Sequence, residues 1–267
     1  MIDDLEAITF DFGNTLVPFP GGPMAVELRL TAERAAGLVH CSVEDFIAAW
    51  AEERLRQFAQ DVPEGREADI DVRVIRVMAR LRGRPAPPAG ERWDDAALSA
   101  YSEAGEIEAV VGTYADAFAR YTPVPPEVGP MLERLARAYR LGVISNWPLS
   151  LSIDRFLETS GWAAHLSAIV VSHRVGVIKP HPAIFERAAL ELGVASGPTI
   201  LHVGDDPGAD VAGAHNVGWR TAWIRVKPED SPLPVAPPAP TAQPDITIDS
   251  VLDLEVALGL PGPPPAR

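Results

Sequence analysis

Apolar and polar positions divide this chain into two unlike parts. From about residue 140 onward, short β-rich apolar runs alternate with stretches of helical periodicity. The runs at 141–145, 168–172, 199–203, 221–226 and 246–248 predict strands, and the stretches at 149–159, 182–192, 209–216 and 250–258 predict helices. Alternation of this kind defines βαβ units, whose parallel strands are buried on both faces and so read as continuous apolar segments. The run at 5–10 has the same character and belongs to the same sheet.

Between residues 18 and 122 no strand pattern occurs. Ser42-Val43-Glu44-Asp45 has the form of a helix-capping box, and Val43, Phe46, Ile47, Trp50 and Phe58 then recur at helical spacing. Further helices are expected near 25–38, 72–81, 94–102 and 107–120. Turn-forming clusters bound the region, Pro18-Phe19-Pro20-Gly21-Gly22-Pro23 on entry and Thr122-Pro123-Val124-Pro125-Pro126 on exit. The expected organisation is a core made of residues 1–17 and 123–267, with an all-helical cap, 18–122, inserted after the first strand. The proline-rich stretch 228–244 is expected to be an extended surface loop, and the tail after Gly259 to lack order.

Composition narrows the partners. With 267 residues and 47 % hydrophobic content the chain can bury a full core. Its 37 acidic and 23 basic residues give a net charge of -14, which repels nucleic acid and anionic lipid. The start, Met1-Ile2-Asp3-Asp4-Leu5-Glu6, is acidic where a secretory signal is basic, and no stretch approaches about 18 unbroken apolar residues, so a cytoplasmic protein with no membrane partner is expected. The single cysteine, Cys41, excludes an internal disulfide and reads as a small buried filler. Lysine occurs only at Lys179 and Lys227, so a lysine in a suggestive place carries more weight here than in a lysine-rich chain.

Four features separated in sequence fall at the carboxyl ends of predicted strands, where open α/β sheets bind ligands. These are Asp11, Ser145-Asn146, Gly204-Asp205-Asp206 with Asp210, and, just ahead of a helix, Lys179-Pro180. Four carboxylates converging there repel one another unless some are protonated, paired with lysine or bound to a hard divalent cation, for which magnesium fits best. With that charge screened, Asp11 can attack phosphorus and form an aspartyl-phosphate. Ser145 and the amides of Phe12 and Gly13 are then placed to hold phosphoryl oxygens, with Asn146 beside them, and Lys179 to neutralise nucleophile and phosphate.

Together these motifs resemble the haloacid dehalogenase superfamily of hydrolases. The likeness is carried by Phe10-Asp11-Phe12-Gly13-Asn14-Thr15-Leu16, Val143-Ile144-Ser145-Asn146, Gly176 through Phe185 around Lys179-Pro180, and His202-Val203-Gly204-Asp205-Asp206 through Ala214. It implies a Rossmann-like α/β core with a helical cap and a magnesium-dependent hydrolase of small phosphorylated metabolites. By position, Asp11 is nucleophile and metal ligand, Gly13 offers its carbonyl to the metal, and Asp205 is a further ligand. Ser145 and Lys179 bind phosphate, and Asp210 orients Lys179 or a metal-bound water. Gly13 departs from the pattern: the family's phosphatases usually carry there an aspartate that protonates the leaving oxygen and activates water, worth about 10² to 10⁴ in rate. A cap acid (Glu103, Glu106 or Glu108), an acidic leaving group such as an acyl phosphate, or loss of efficient turnover each accounts for the glycine.

Two other readings share the scaffold. A 2-haloacid dehalogenase uses the same aspartate toward carbon and needs a cationic pocket; Arg73, Arg76 and Arg80 offer one, though their spacing also suits an exposed helix face. A phosphate-ligand-binding protein without turnover is compatible with Gly13. A lysine imine supplied by the cap is excluded, since no lysine precedes Lys179.

Overall fold

The computed structural model describes residues 4–85, 102–103, 105–236 and 243–260. The expected helix at 94–102 apart from Ser102, the final residues of the tail and the middle of the proline-rich loop lie outside them. The chain divides into two compact units, one formed by Met1–Gly21, Pro123–Asn146 and Leu157–Arg267, the other by Gly22–Thr122 and Trp147–Phe156.

The first unit holds six parallel strands in the order β3-β2-β1-β4-β5-β6. They are β1 (Ala7–Phe10), β2 (Arg140–Ser145), β3 (Ala168–Val171), β4 (Ile200–Gly204), β5 (Arg220–Ile224) and β6 (Ile246–Ile248). β1 and β4 have no exposed residue, as a sheet covered on both faces requires. Phe10 pairs with both Val143 and Val203, so Asp11, Ser145 and the Gly204–Asp206 corner leave the sheet at one edge.

Close approaches fix the layer over the sheet. Helix Pro182–Leu192 begins with proline, where the missing amide costs nothing, and buries Ile184, Phe185, Ala188 and Ala189. Phe185 meets His202 and Trp219 edge-on, at 5.4 and 5.5 Å between ring centroids. A Cβ on Gly213 would come within 2.8 Å of the Phe185 ring, so only glycine lets the segment after β4 pack this tightly.

Among its described residues the second unit has helices and no strand, with α1 (Gly21–Val39, its first residue in the other unit), α2 (Val43–Gln60), α3 (Ile70–Leu81) and α4 (Glu106–Tyr121). Ala32, Phe46, Trp50, Val74, Met78, Val110 and Tyr114 form its core. Fully burying a residue such as Phe46 contributes about 1.5–3 kcal/mol. Ser42 caps α2 by accepting from the Asp45 amide at 3.0 Å, while the Asp45 carboxylate binds the Ser42 hydroxyl rather than its amide. That is half of the expected capping box.

Several expectations change. α1 starts at Gly21, inside the supposed entry turn, because first-turn amides need no helical partner and tolerate glycine and proline. For the same reason Val128-Gly129-Pro130 opens an unpredicted helix, α5 (Val128–Leu135); a Cβ on Gly129 would lie 3.0 Å from the Trp162 Nε1. Ser172 begins a short helix instead of ending β3. Cys41 is only partly buried. Arg73, expected on an exposed face, is 4 % exposed, donates to Gln57 Oε1 and Ala68 O, and stacks over Trp50. Among the described residues no helix is long and apolar enough to cross a membrane.

Candidate active site

The Lys179 ammonium is the centre of the site. It is 2 % exposed and reaches Asp11 Oδ1 at 2.7 Å, Asp210 Oδ1 at 2.6 Å and the Ile144 carbonyl at 2.7 Å, so each of its three protons has an acceptor. Asn146 sets its backbone: the carboxamide accepts from the Lys179 amide at 2.7 Å and donates to the Lys179 carbonyl at 3.1 Å. Ser145, at the end of β2, is 1 % exposed. Residues 11, 145, 146, 179 and 204–210, distant in sequence, thus meet at the carboxyl ends of β1, β2 and β4.

The two carboxylates on Lys179 are unequally supported. Asp210 also accepts from His202 Nε2 at 3.2 Å and from the Asp206 amide at 2.9 Å. Burial alone would raise its pKa, but Lys179 and His202 reverse this and hold it well below the carboxylate range. Among the described residues Lys179 alone donates a side-chain hydrogen bond to Asp11, and burial, reinforced by Asp210 and Asp205, pushes its carboxyl up to about 8 against the pull of Lys179. Burial opposes the charge on Lys179, yet the two carboxylates more than offset it and the pKa rises. Asp205 is pushed up to about 6, first by burial and then by Asp210, with Lys227 at 3.4 Å acting the other way. One ligand oxygen each from Asp11, Asp205 and Asp210 lies within 4.8 Å of the others.

Backbone groups complete the picture. Within the loop after β1, Leu16 and Val17 donate to the Phe12 carbonyl and Asn14 donates to Val17. The buried Gly13 neither donates nor accepts a hydrogen bond among the described residues. A buried residue whose amide and carbonyl are both unpaired is expected to meet a ligand, since such groups are nearly always partnered. The Thr15 hydroxyl in the same loop is likewise buried without a partner. The clustered oxygens of Asp11, Asp205 and Asp210 are hard ligands of the kind a divalent cation such as magnesium takes.

Three residues of the quoted motifs have parts that the sequence did not assign. His202 stands in an apolar strand, and burial lowers its pKa, keeping it neutral; its Nε2–H then donates to Asp210 while Nδ1 accepts from the Thr9 hydroxyl at 2.9 Å. The signal was a histidine inside the run Ile200-Leu201-His202-Val203. Gly204 is required because a Cβ there would overlap the Asp210 carboxylate. Asp206, whose role the sequence left open, caps the next turn by accepting from the Gly208 and Ala209 amides at 2.8 and 2.9 Å. Of the cap acids, Glu106 is paired with Arg82 at 2.6 Å, which lowers its pKa and keeps it ionised.

The six-stranded parallel sheet, with a lysine-bridged pair of carboxylates where its strands end, defines a Rossmann-like α/β protein. A family model described as haloacid dehalogenase-like hydrolase matches residues 5–218, and the chain belongs to that family. It is 32 % identical over 167 residues to a phosphoserine phosphatase of Thermus thermophilus, covering 60 % of this chain and 63 % of that protein. A glyceraldehyde 3-phosphate phosphatase of Methanopyrus kandleri is 26 % identical, with 83 % of this chain and 84 % of the relative covered. The chain therefore spans less than two thirds of the first relative's length. The fold matches a 2-haloacid dehalogenase from Pseudomonas syringae with a TM-score of 0.65 at 24 % identity, covering 96 % of this chain and 98 % of that one.

Proposed function

We propose that the protein is a magnesium-dependent phosphohydrolase that works through an aspartyl-phosphate on Asp11. The observation that carries the reading is the buried lysine bridging Asp11 and Asp210 beside the unpaired peptide groups of Gly13. Two buried carboxylates on one lysine, with Asp205 close by, suit a cation and a phosphate; a dehalogenase needs the opposite, a cationic cradle for carboxylate and halide. The phosphatase relatives point the same way.

Magnesium, held by Asp11, Asp205 and the Gly13 carbonyl, would supply the charge that lets an anionic nucleophile approach an anionic phosphoryl group. The chain's own residues do the rest. Lys179 keeps one Asp11 oxygen fixed and leaves the other to bond phosphorus. As that bond forms, the bond from phosphorus to the leaving oxygen breaks and its electron pair departs with the oxygen. Ser145 and the amide of Gly13 would hold the phosphoryl oxygens. Water then attacks the phospho-aspartate, loses its proton to solvent and releases inorganic phosphate, restoring the Asp11 carboxylate. Gly13 offers no proton to the leaving oxygen, so substrates with acidic leaving groups are favoured.

The test is a screen of phosphate esters of graded leaving-group pKa, with magnesium or with chelator, alongside Asp11→Asn. Turnover is expected only with metal and only with Asp11. Activity that ignores the metal, or survives Asp11→Asn, overturns the mechanism.

A further inference from the structure

The second of the two lysines belongs to a strap that no strand or helix motif accounts for. After β5 the chain runs from Lys227 to Ala236 without regular structure and is tied down at four points. The Lys227 ammonium lies 3.4 Å from Asp205 Oδ2, and the Gly21 amide donates to Asp230 Oδ2 at 3.3 Å. Asn14 Nδ2 donates to Ser231 Oγ at 3.0 Å, and the Ala236 amide donates to Asp206 Oδ2 at 2.6 Å. Two anchors are in or just beyond the loop that follows β1 and two are in the corner after β4. Those segments also carry Asp11 and Asp205. Pro228, Pro232 and Pro234 restrict the strap's backbone, so ordering it costs little entropy.

Lys227 is paired only as long as Asp205 is available. Among the described residues no other carboxylate lies within ion-pair distance of its ammonium, and its side chain is 32 % exposed against 10 % for Asp205. A divalent cation on Asp205 replaces Lys227 there, because two cations on one carboxylate repel. The ammonium is then a charge without a partner at the rim of the site, on a segment anchored beside the nucleophile loop.

We propose that Lys227 is a specificity-determining residue: it holds Asp205 in the metal-free protein and, once metal takes that carboxylate, binds a second anionic group on the substrate. This rests on the phosphohydrolase reading and sharpens it, naming as substrate class phosphate esters with a carboxylate or second phosphate a few bonds from the reacting phosphorus. A compact ammonium on a flexible stem suits such a point-charge contact.

Wild type, Lys227→Met and Lys227→Arg are compared in two calorimetric titrations. With magnesium alone, Lys227→Met binds about three- to tenfold more tightly than wild type, since a competing cation is gone, and Lys227→Arg stays within about twofold. With magnesium saturating, the probes are 2-carboxyethylphosphonate and 3-hydroxypropylphosphonate, which differ in one terminal group and have no cleavable phosphate ester. Wild type and Lys227→Arg prefer the carboxylate by about tenfold or more, and Lys227→Met loses the preference. Unchanged magnesium affinity in Lys227→Met, no preference in wild type, a preference that survives Lys227→Met, or no binding of either probe overturns the proposal. Turnover plays no part, so a wild type that shows the preference but fails the ester screen sinks the catalytic reading and leaves this one standing.

Discussion

Lys179→Met removes the one cation shared by two buried carboxylates while keeping most of the side chain's apolar stem. Its ammonium is 2 % exposed and holds Asp11, Asp210 and the Ile144 carbonyl at 2.6–2.7 Å, so the substitution strips two buried carboxyl groups and a buried carbonyl of their shared donor. Breaking one side of a buried ion pair costs about 3–5 kcal/mol. In a chain of this size each kcal/mol moves Tm by about 2–4 °C, so the core transition should fall by roughly 10 °C in chelator. Because the chain has two compact units, that transition must be followed by a core probe rather than by total signal. Amide hydrogen exchange in the buried strands β1 and β4 serves as that probe. Magnesium, by neutralising Asp11, should return part of the loss, whereas kcat stays at least about 10²-fold down because one charged contact to the reacting group is gone. A Tm within a degree or two of wild type in chelator would refute the picture of a buried, doubly bridged lysine. So would a loss that magnesium leaves untouched.

Other substitutions test separate parts of the argument. Gly204→Ala drives a methyl into the Asp210 carboxylate and should cost about 1–3 kcal/mol, visible in denaturant midpoints, together with weaker magnesium binding. Gly13→Asp should flatten the dependence of kcat on leaving-group pKa, raising rates for basic leaving groups by about 10² or more; an unchanged slope, with chemistry rate-limiting, would place the acid elsewhere. In the second unit Glu27 is 1 % exposed, with Oε2 unpaired and Oε1 reached only by the Thr122 hydroxyl, and burial pushes its carboxyl up to about 8 from 4.5. A carboxyl raised on folding stabilises below its unfolded pKa and loses that contribution as pH climbs. Stability of this unit should therefore decline between about pH 4.5 and 8, by a few kcal/mol in all, and Glu27→Gln should flatten the decline in denaturation midpoints measured across that range.

What the sequence revealed follows from how strongly each feature was over-determined. Buried parallel strands are unbroken apolar runs, so β1 to β6 fall within two residues of expectation. Helix Pro182–Leu192, signalled at both ends by proline and glycine, matches its expected bounds. α5 was hidden because Gly129 and Pro130, turn formers elsewhere, sit in a first turn where they are tolerated. Arg73 looked like surface because periodicity reports a face and not what covers it; Gln57, Ala68 and Trp50 cover this one. In the site, acids and a lysine at strand ends were readable from their positions. Which carboxylate Lys179 leaves under-compensated was not, since that depends on His202 and a backbone amide that meet Asp210 only in the folded chain. The strap was legible as a loop, but its anchors on Asn14, Gly21, Asp205 and Asp206 are tertiary and left no local trace.

The scarcity of lysine has a practical consequence. With two lysines in 267 residues, selective carbon-13 labelling of that amino acid yields a spectrum of two ε-methylene resonances, assignable with the single variant Lys227→Met. One resonance reports on a sealed ammonium beside Asp11, the other on an ammonium one-third open to solvent beside Asp205. The protein thus carries its own pair of spectroscopic reporters, bonded by the fold to different members of the same carboxylate cluster.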